Sequence, residues 1–167
     1  ADGNDTLYGG NQDDSLYGGA GADKLWGGEG IDTLFSDAGA GYLYGEGGVD
    51  YLNGGDDNDY LDGGVGDDYL AGGAGNDVYI VDSVGDAVTE NGNAGSDIIR
   101  STVSIAVLVD NVEAVQLMGS ANLNADGNGG ANNLQGNAGA NILSGGGGVD
   151  TINGADGAFL ADIGEGN

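Results

Sequence analysis

Carboxylates recur along the first half of this chain at a spacing that suits metal binding. They lie nine residues apart, and the series loses its acidic residue at one place, Gly41. Its members are Asp5, Asp14, Asp23, Asp32, Asp50, Asp59, Asp68, Asp77 and Asp86. Paired glycines precede most of them, so uncovered backbone carbonyls lie beside the carboxylates. Carboxylates and main-chain carbonyls together are the oxygen ligands that Ca²⁺ prefers.

The same nine-residue unit carries one apolar residue two places after each aspartate. Numbered from the first glycine, the aspartate is position 6 and the apolar residue is position 8, from Leu7 to Tyr79. Residues 9–35 hold three units without a gap: GGNQDDSLY, GGAGADKLW and GGEGIDTLF. A strand of three residues is not stable alone, so a repeat of this length predicts a stacked solenoid.

Stacking with two units per turn gives two parallel sheets with the leucines between them. Residues eighteen apart then become neighbours, about 4.8 Å from each other. The aspartates of one edge stack in the same way, and bare carboxylates at that spacing repel. A hard dication between them removes the repulsion and gives the glycine carbonyls a partner, so the repeat predicts bound calcium.

Two of the units, GGAGADKLW and GGAGNDVYI, resemble the GGxGxDxUx nonapeptide of the RTX (haemolysin-type) calcium-binding repeats. The resemblance is strong over residues 1–90 and weaker to about residue 153. It implies an all-β fold, a right-handed parallel β-roll or β-helix solenoid with two short parallel sheets and calcium-binding turns. It also implies a bacterial protein exported by type I secretion to the extracellular space or cell surface.

In that family, the carbonyls of positions 2 and 4 and the carboxylate of position 6 bind calcium. Carried over, this implies ligands at Gly19, Gly21, Asp23, Gly28, Gly30, Asp32, Gly64, Gly66, Asp68, Gly73, Gly75 and Asp77. Partial matches add Gly10 with Asp14, Gly48 with Asp50 and Gly55 with Asp59, and Asp5, Asp86 and Asp150 also keep position 6. Counting intact facing pairs of turns gives about six calcium ions.

One unit departs from this pattern, and two others differ at position 4. Residues 36–44 have Ser36, Asp37 and Gly41 where two glycines and the aspartate belong. We expect a weakened or empty ion position there, with Asp37 as a substitute ligand. Position 4 is Gln12 in one unit and Asp57 in another, so those turns are expected to be less tightly wound.

Aromatic residues recur at outward-facing positions of the repeat. Tyr8, Trp26 and Tyr44 are expected to stack on one sheet, and Tyr51 and Tyr69 on the other. One interpretation is that they stabilise narrow sheets by cross-strand pairing. The alternative is a docking face for polysaccharide or another protein, since exposed apolar patches often mark interaction sites.

The repeat changes character after residue 90, and four segments of one domain are predicted. Residues 1–90 form the regular roll, 91–126 form wider solenoid turns with a hydrophobic core, 127–153 carry asparagine-variant repeats, and 154–167 form a degenerate C-terminal cap. In the second segment, NVEAVQLMG resembles the NVExLxLxG segment found beside RTX repeats, and a short helix around residues 110–115 is the alternative.

Side-chain chemistry also changes in the last two segments. Asn132 and Asn141 replace the aspartate, which lowers the expected calcium affinity and allows hydrogen bonding along the edge instead. Phe159, Leu160 and Ile163 are candidates to cover the open end of the coil.

Charge and composition exclude several function classes. The 167 residues carry a net charge of -26, from 28 acidic residues against Lys24 and Arg100. Such a chain offers no basic patch for nucleic acid or for an anionic membrane, and it self-repels without a counter-ion. A disordered glycine-rich tail is the competing interpretation, but disordered tracts do not keep an apolar register.

Catalysis is not expected. The chain has no histidine and no cysteine, so no familiar nucleophile–base pair can form. Glycosidase chemistry by paired carboxylates is the remaining catalytic alternative, although no cleft is evident.

These features predict a calcium-binding module that folds on extracellular calcium after type I secretion and stabilises a secreted parent protein. One alternative is a glycan- or matrix-binding module that uses the aromatic rows. The other is a surface-layer, adhesin or filament component in which copies pack together. Because the chain begins inside a repeat, we expect it to be a piece of a longer protein.

Overall fold

The computed structural model describes residues 2–92 and 95–162, which contain strands and turns but no helix. Accordingly, this part of the chain has no helix long and apolar enough to cross a membrane. The chain divides into two compact units, Ala1–Gly95 and Ser96–Asn167.

The first unit is a parallel β-solenoid, as the nine-residue repeat predicts. Its strands are β1 Thr6–Gly10, β2 Ser15–Ala20, β3 Lys24–Gly30, β4 Thr33–Ala38, β5 Tyr42–Gly48, β6 Tyr51–Asp56, β7 Tyr60–Asp62, β8 Tyr69–Ala74, β9 Val78–Val81 and β10 Ala87–Thr89. Odd-numbered strands form one sheet and even-numbered strands the other, in chain order. Every pair is parallel with a register of eighteen residues, as between Leu25 and Leu43, so the predicted stacking is confirmed.

A single file of side chains from both sheets forms the core of the first unit. Leu25, Leu34, Leu43 and Leu52 are all 0% exposed, and each such burial contributes about 2 kcal/mol. Tyr79 takes the same position at the end of the file, where its hydroxyl accepts a 2.9 Å hydrogen bond from the Gly72 N–H and donates to a Glu90 carboxylate oxygen. The position-8 residues therefore point inward, as expected.

The second unit is also built of parallel strands, but its register is irregular. Its strands are β11 Ile98–Ser101, β12 Ala114–Leu117, β13 Asn124–Asp126, β14 Asn133–Gln135, β15 Asn141–Ser144, β16 Thr151–Asn153 and β17 Phe159–Asp162. Within it, β11, β12, β14 and β16 follow one another in one sheet, and β13, β15 and β17 in another. Ala114 pairs with Ile98 on one side and with Asn133 on the other, so the spacing changes before the eighteen-residue register resumes.

Larger apolar side chains fill the wide turn of the second unit. Ile99, Leu108, Val112 and Val115 are each at most 2% exposed. The alternative of a short helix around residues 110–115 is wrong, because the backbone makes a turn and then enters β12.

At the other end of the second unit, β17 pairs with β15 and its side chains are exposed. Phe159 is 46% exposed and Leu160 is 70% exposed. Ile163, the third residue predicted to cap the coil, lies outside the described residues. The capping role stays a prediction.

Candidate calcium-binding turns

The position-6 aspartates of the first unit form a hydrogen-bonded ladder along each edge of the solenoid. In each step, the Oδ1 atom of one aspartate accepts the N–H of the residue eighteen positions earlier. The distance is 2.8 Å from Asp32 N to Asp50 Oδ1 and 2.8 Å from Asp50 N to Asp68 Oδ1. The other acceptors of this kind are Asp23, Asp32, Asp59, Asp77 and Asp86. The predicted stacking of carboxylates is thus present.

The second oxygen of these carboxylates points into the turn. The Oδ2 atoms of Asp23, Asp32, Asp50, Asp59 and Asp68 are buried and have no hydrogen-bond partner in the structure. A buried, unpartnered anionic oxygen is costly, and bound cations are one of the few ways to satisfy it. This arrangement fits calcium.

The first glycine of each unit makes room for that carboxylate. A Cβ atom added at Gly18 would lie 2.3 Å from Asp23 Oδ2, and one added at Gly63 would lie 2.3 Å from Asp68 Oδ2. From the sequence, the paired glycines were expected only to leave backbone carbonyls uncovered beside the carboxylates. The packing of the first glycine against the carboxylate was missed, although the paired glycines were the available signal.

Positions 2 and 4 hold the backbone in the left-handed region, where glycine is favoured. All glycines predicted as ligands have positive φ: Gly10, Gly19, Gly21, Gly28, Gly30, Gly48, Gly55, Gly64, Gly66, Gly73 and Gly75. Asp37, Glu46 and Asp57 keep the same conformation at φ 72°, 74° and 72°. Gln12 is not among the positive-φ residues, so the two position-4 departures differ: Asp57 preserves the turn and Gln12 does not.

The electrostatics of the ladder disfavour bare carboxylates. Burial raises the pKa of Asp59 to about 7, against the lowering effect of the Gly41 N–H bond, and the charge of Asp77 raises it further. Burial likewise raises the pKa of Asp68 to about 6 and, in the same direction, that of Asp50. A cation among these oxygens would favour their charged form instead.

Asp86 differs from the aspartates before it. Its Oδ1 atom accepts the Asp68 N–H at 3.0 Å, and its Oδ2 atom accepts the N–H groups of Asp82 and Ser83 at 3.0 and 3.1 Å. Both oxygens are therefore satisfied, Oδ1 by the preceding coil and Oδ2 by its own turn. At the opposite end, Asp5 and Asp14 are only half-buried.

In the turn of residues 36–41, Asp37 does not approach the interior. Its backbone is paired in register with Gly19 and Gly55, and its side chain is exposed. Ser36 is 0% exposed, and its hydroxyl has no hydrogen-bond partner in the structure. Asp37, the substitute ligand predicted from the sequence, is therefore exposed, whereas Ser36 is the buried polar side chain of this turn.

Asparagine amides occupy the corresponding turns of the second unit. Asn128 Nδ2 donates to the carbonyls of Val109 and Val112, both at 2.9 Å. Asn132 Oδ1 accepts the Asn128 N–H at 2.9 Å, and Asn132 Nδ2 lies 3.4 Å from the Val112 carbonyl. An amide that donates to turn carbonyls gives them the kind of partner that a bound cation would give in the aspartate turns.

The next asparagine pair repeats this pattern. Asn137 Nδ2 donates to the carbonyls of Met118 and Ala121 at 2.8 and 3.1 Å. Asn141 Nδ2 donates to the Leu123 carbonyl at 2.8 Å and to Asn137 Oδ1 at 2.9 Å. The hydrogen bonding expected of Asn132 and Asn141 is present, but Asn128 and Asn137 were not predicted to take part.

Asp150 restores the aspartate turn in the second unit. Its Oδ1 atom accepts the Asn132 N–H at 2.9 Å, and its Oδ2 atom is buried without a hydrogen-bond partner. Gly146 and Gly148 before it have φ values of 80° and 92°. This turn thus has the features of the first unit.

The aromatic rows lie on the outer faces of the first unit. The rings of Tyr8 and Trp26 are 4.9 Å apart and those of Trp26 and Tyr44 are 5.3 Å apart, both nearly parallel. On the other sheet, Tyr51 pairs in register with Tyr69, and its ring contacts that of Phe35 at 6.0 Å. Because stacked rings cover one another, Trp26 presents mainly its edge to solvent.

A second polar ladder at position 5 was not predicted from the sequence. Side-chain oxygens of Asn4, Asp13 and Asn58 accept backbone N–H groups eighteen residues later, at 2.7 to 2.9 Å. The pattern was hidden because position 5 is apolar in the middle of the array, as at Ile31 and Val49.

Comparison with known proteins agrees with this geometry. No curated protein matches the sequence. The RTX calcium-binding nonapeptide repeat matches four copies over residues 1–34, 44–79 and 126–158. These ranges contain every aspartate of the ladder except Asp86, together with the asparagine turns and Asp150. The chain therefore belongs to the RTX calcium-binding nonapeptide repeat family and is a calcium-binding module built as a parallel β-solenoid.

Proposed function

We propose that this chain is a calcium-dependent folding module of a bacterial protein exported by type I secretion. It stays unfolded at the low calcium of the cytosol and folds in extracellular calcium, where it stabilises the protein of which it is part. The observation that carries this proposal is the row of buried Oδ2 atoms without partners, such as those of Asp50 and Asp68.

The proposed metal ligands are the position-6 carboxylates together with carbonyls of positions 2 and 4. When bound, calcium supplies positive charge between stacked turns, and this chain's own residues orient the oxygens. The Oδ1 atoms are fixed by backbone N–H groups, which leaves Oδ2 free to bind the ion. Asp86 contributes least, because backbone N–H groups of its own turn already satisfy its Oδ2 atom.

Thermodynamic linkage between calcium binding and folding gives the driving force for folding. A ligand that binds only the folded state stabilises it by about 2.7 kcal/mol per site when its concentration is a hundred times Kd. Twenty of the 28 acidic residues lie in residues 1–95, so repulsion in the metal-free first unit is strong. Several sites acting together therefore switch the module over a narrow range of calcium concentration.

Circular dichroism and isothermal titration calorimetry on the full chain test this proposal. With chelator, the β-signal is expected to be largely lost, and millimolar calcium is expected to restore it with several ions bound per chain. Magnesium at the same concentration is the control, because it demands a smaller octahedral site and dehydrates reluctantly. A β-signal that chelator leaves unchanged contradicts the proposal.

The other roles predicted from the sequence remain predictions. Polysaccharide binding would need free ring faces, and stacking with Tyr8 and Tyr44 covers both faces of Trp26. Self-association through sheet ends is testable by light scattering with and without calcium. RTX solenoids are a structural fold rather than a known enzyme fold, and the expected lack of catalysis also stays a prediction.

A further inference from the structure

The unit at residues 36–44 exchanges the chemistry of two positions. Elsewhere position 1 is glycine and position 6 is aspartate, but here position 1 is Ser36 and position 6 is Gly41. A Cβ atom added at Gly41 would lie 2.1 Å from Ser36 Oγ, much as one added at Gly18 would lie 2.3 Å from Asp23 Oδ2. The serine side chain thus fills the space that the carboxylate fills in other turns.

The hydroxyl of Ser36 is buried without a hydrogen-bond partner. The side chain is 0% exposed, and Oγ makes no hydrogen bond in the structure. The adjacent turns of the same edge contribute Asp23 and Asp59, each with a buried Oδ2 atom that also lacks a partner. The Gly41 N–H donates to Asp59 Oδ1 at 2.6 Å, so the backbone ladder continues through the exchanged unit.

Backbone geometry is preserved as well. Asp37 and Gly39 have φ values of 72° and 108°, the left-handed conformation of positions 2 and 4 in intact turns. Carbonyls in this turn are therefore presented as in its neighbours. What the interior of this turn lacks is the position-6 carboxylate, because the charge of Asp37 lies at the surface.

We propose that Ser36 Oγ is a calcium ligand that replaces the missing position-6 carboxylate, which creates a position of reduced charge between Asp23 and Asp59. This inference rests on the proposed calcium-dependent folding. A hydroxyl oxygen keeps two lone pairs besides its O–H, so it supplies a neutral oxygen where other turns supply an anionic one. Calcium affinity depends on the charge count of the ligands, so this position fills last along its edge.

Calorimetric calcium titrations of the full chain test the proposal with two variants. Ser36→Ala removes the oxygen at nearly constant volume, and it is expected to weaken the lowest-affinity sites about tenfold or abolish one ion. The double variant Ser36→Gly/Gly41→Asp restores the usual arrangement, and it is expected to strengthen those sites by about the same factor. Ser15→Ala is the matched control, since Ser15 is exposed at the start of β2.

Each outcome bears on the proposal. Wild-type stoichiometry and affinities in Ser36→Ala overturn it. A lower Tm of the calcium-loaded variant with wild-type calcium binding also overturns it, because the hydroxyl would then be a hydrogen-bond donor only. If Ser36→Ala does not fold, the double variant decides, and unchanged weak sites there overturn the proposal. A wild-type chain that binds no calcium contradicts the proposed function itself.

Discussion

The backbone N–H of Asp32 donates a 2.8 Å hydrogen bond to Oδ1 of Asp50, while Oδ2 of the same carboxylate is buried without a partner. One side chain therefore does two things. It ties adjacent turns together through one oxygen and presents the other to the interior of the turn. The divided role explains why an uncharged isostere is not equivalent at this position, even where it can keep the backbone hydrogen bond.

Replacing Asp50 by Asn tests that division. Asp50→Asn can keep the N–H bond through its amide oxygen but loses the anionic oxygen, so calcium affinity is expected to fall 10- to 100-fold. Calcium titration followed by circular dichroism measures the shift of the midpoint. Asp56→Asn, which changes an exposed residue at the end of β6, is expected to leave the midpoint within about twofold. Equal shifts in the two variants would mean that net charge alone governs folding.

Removal of calcium is expected to affect the two kinds of turn differently. In hydrogen exchange on the chelated full chain, amides of Asp32, Asp50 and Asp68 lose protection because their ladder contains uncompensated carboxylates. Amides of Asn137 and Asn141 retain more protection, because asparagine side chains satisfy their turns without metal. Uniform loss of protection along the chain would count against this assignment.

Asn137→Asp converts a self-sufficient turn into a charged one. The carboxylate cannot donate to the carbonyls of Met118 and Ala121, and each lost hydrogen bond costs about 1 kcal/mol. Thermal denaturation of the calcium-loaded protein is expected to show a lower Tm for this variant. Asn133→Asp is the control at an exposed position of β14. It adds the same charge but leaves the Asn137 hydrogen bonds in place, so its effect on Tm is expected to be smaller.

Gly28→Ala tests the left-handed turn. The residue has φ 111°, and an added Cβ would lie 2.0 Å from the Gly10 carbonyl oxygen. Backbone strain alone costs about 1–3 kcal/mol, so the calcium-loaded variant is expected to unfold at lower denaturant. Gly129 has no atom within 4 Å of an added Cβ, which makes Gly129→Ala the control. Similar stabilities in the two variants would show that the turn tolerates a side chain.

Trp26→Ala tests the aromatic row. The substitution removes two stacked contacts, with Tyr8 and Tyr44, and each contributes about 0.5–1.5 kcal/mol. The calcium-loaded variant is expected to lose stability in proportion, with calcium stoichiometry unchanged. Loss of binding to an immobilised polysaccharide by the folded variant would instead support the docking interpretation.

The regular part of the fold was predictable from the sequence because each nine-residue unit repeats the same apolar and acidic positions. The leucine at every ninth residue specified the core, and the eighteen-residue register between Leu25 and Leu43 followed from two units per turn. The aspartate ladder was predictable for the same reason, since residues in register in a parallel stack must be neighbours.

Features that depend on packing between turns were not predictable. Ser36 fills the space left by Gly41 only because their two positions face each other in three dimensions. The pairing of Ala114 with both Ile98 and Asn133 required the larger core of the wide turn. Asn128 was missed because the carbonyls that it contacts come from an irregular segment whose path the repeat does not determine.

The eighteen-residue register also limits which segment duplications can lengthen the repeat array without disturbing its fold. Duplication of a segment that encodes eighteen residues would insert one complete coil and leave every existing partner, such as Leu34 and Leu52, on its own face. Duplication of a segment that encodes nine residues would move every later strand to the opposite sheet, and every later turn to the opposite edge. Recombination in steps of two units is therefore the route by which these arrays can lengthen without refolding what is already there.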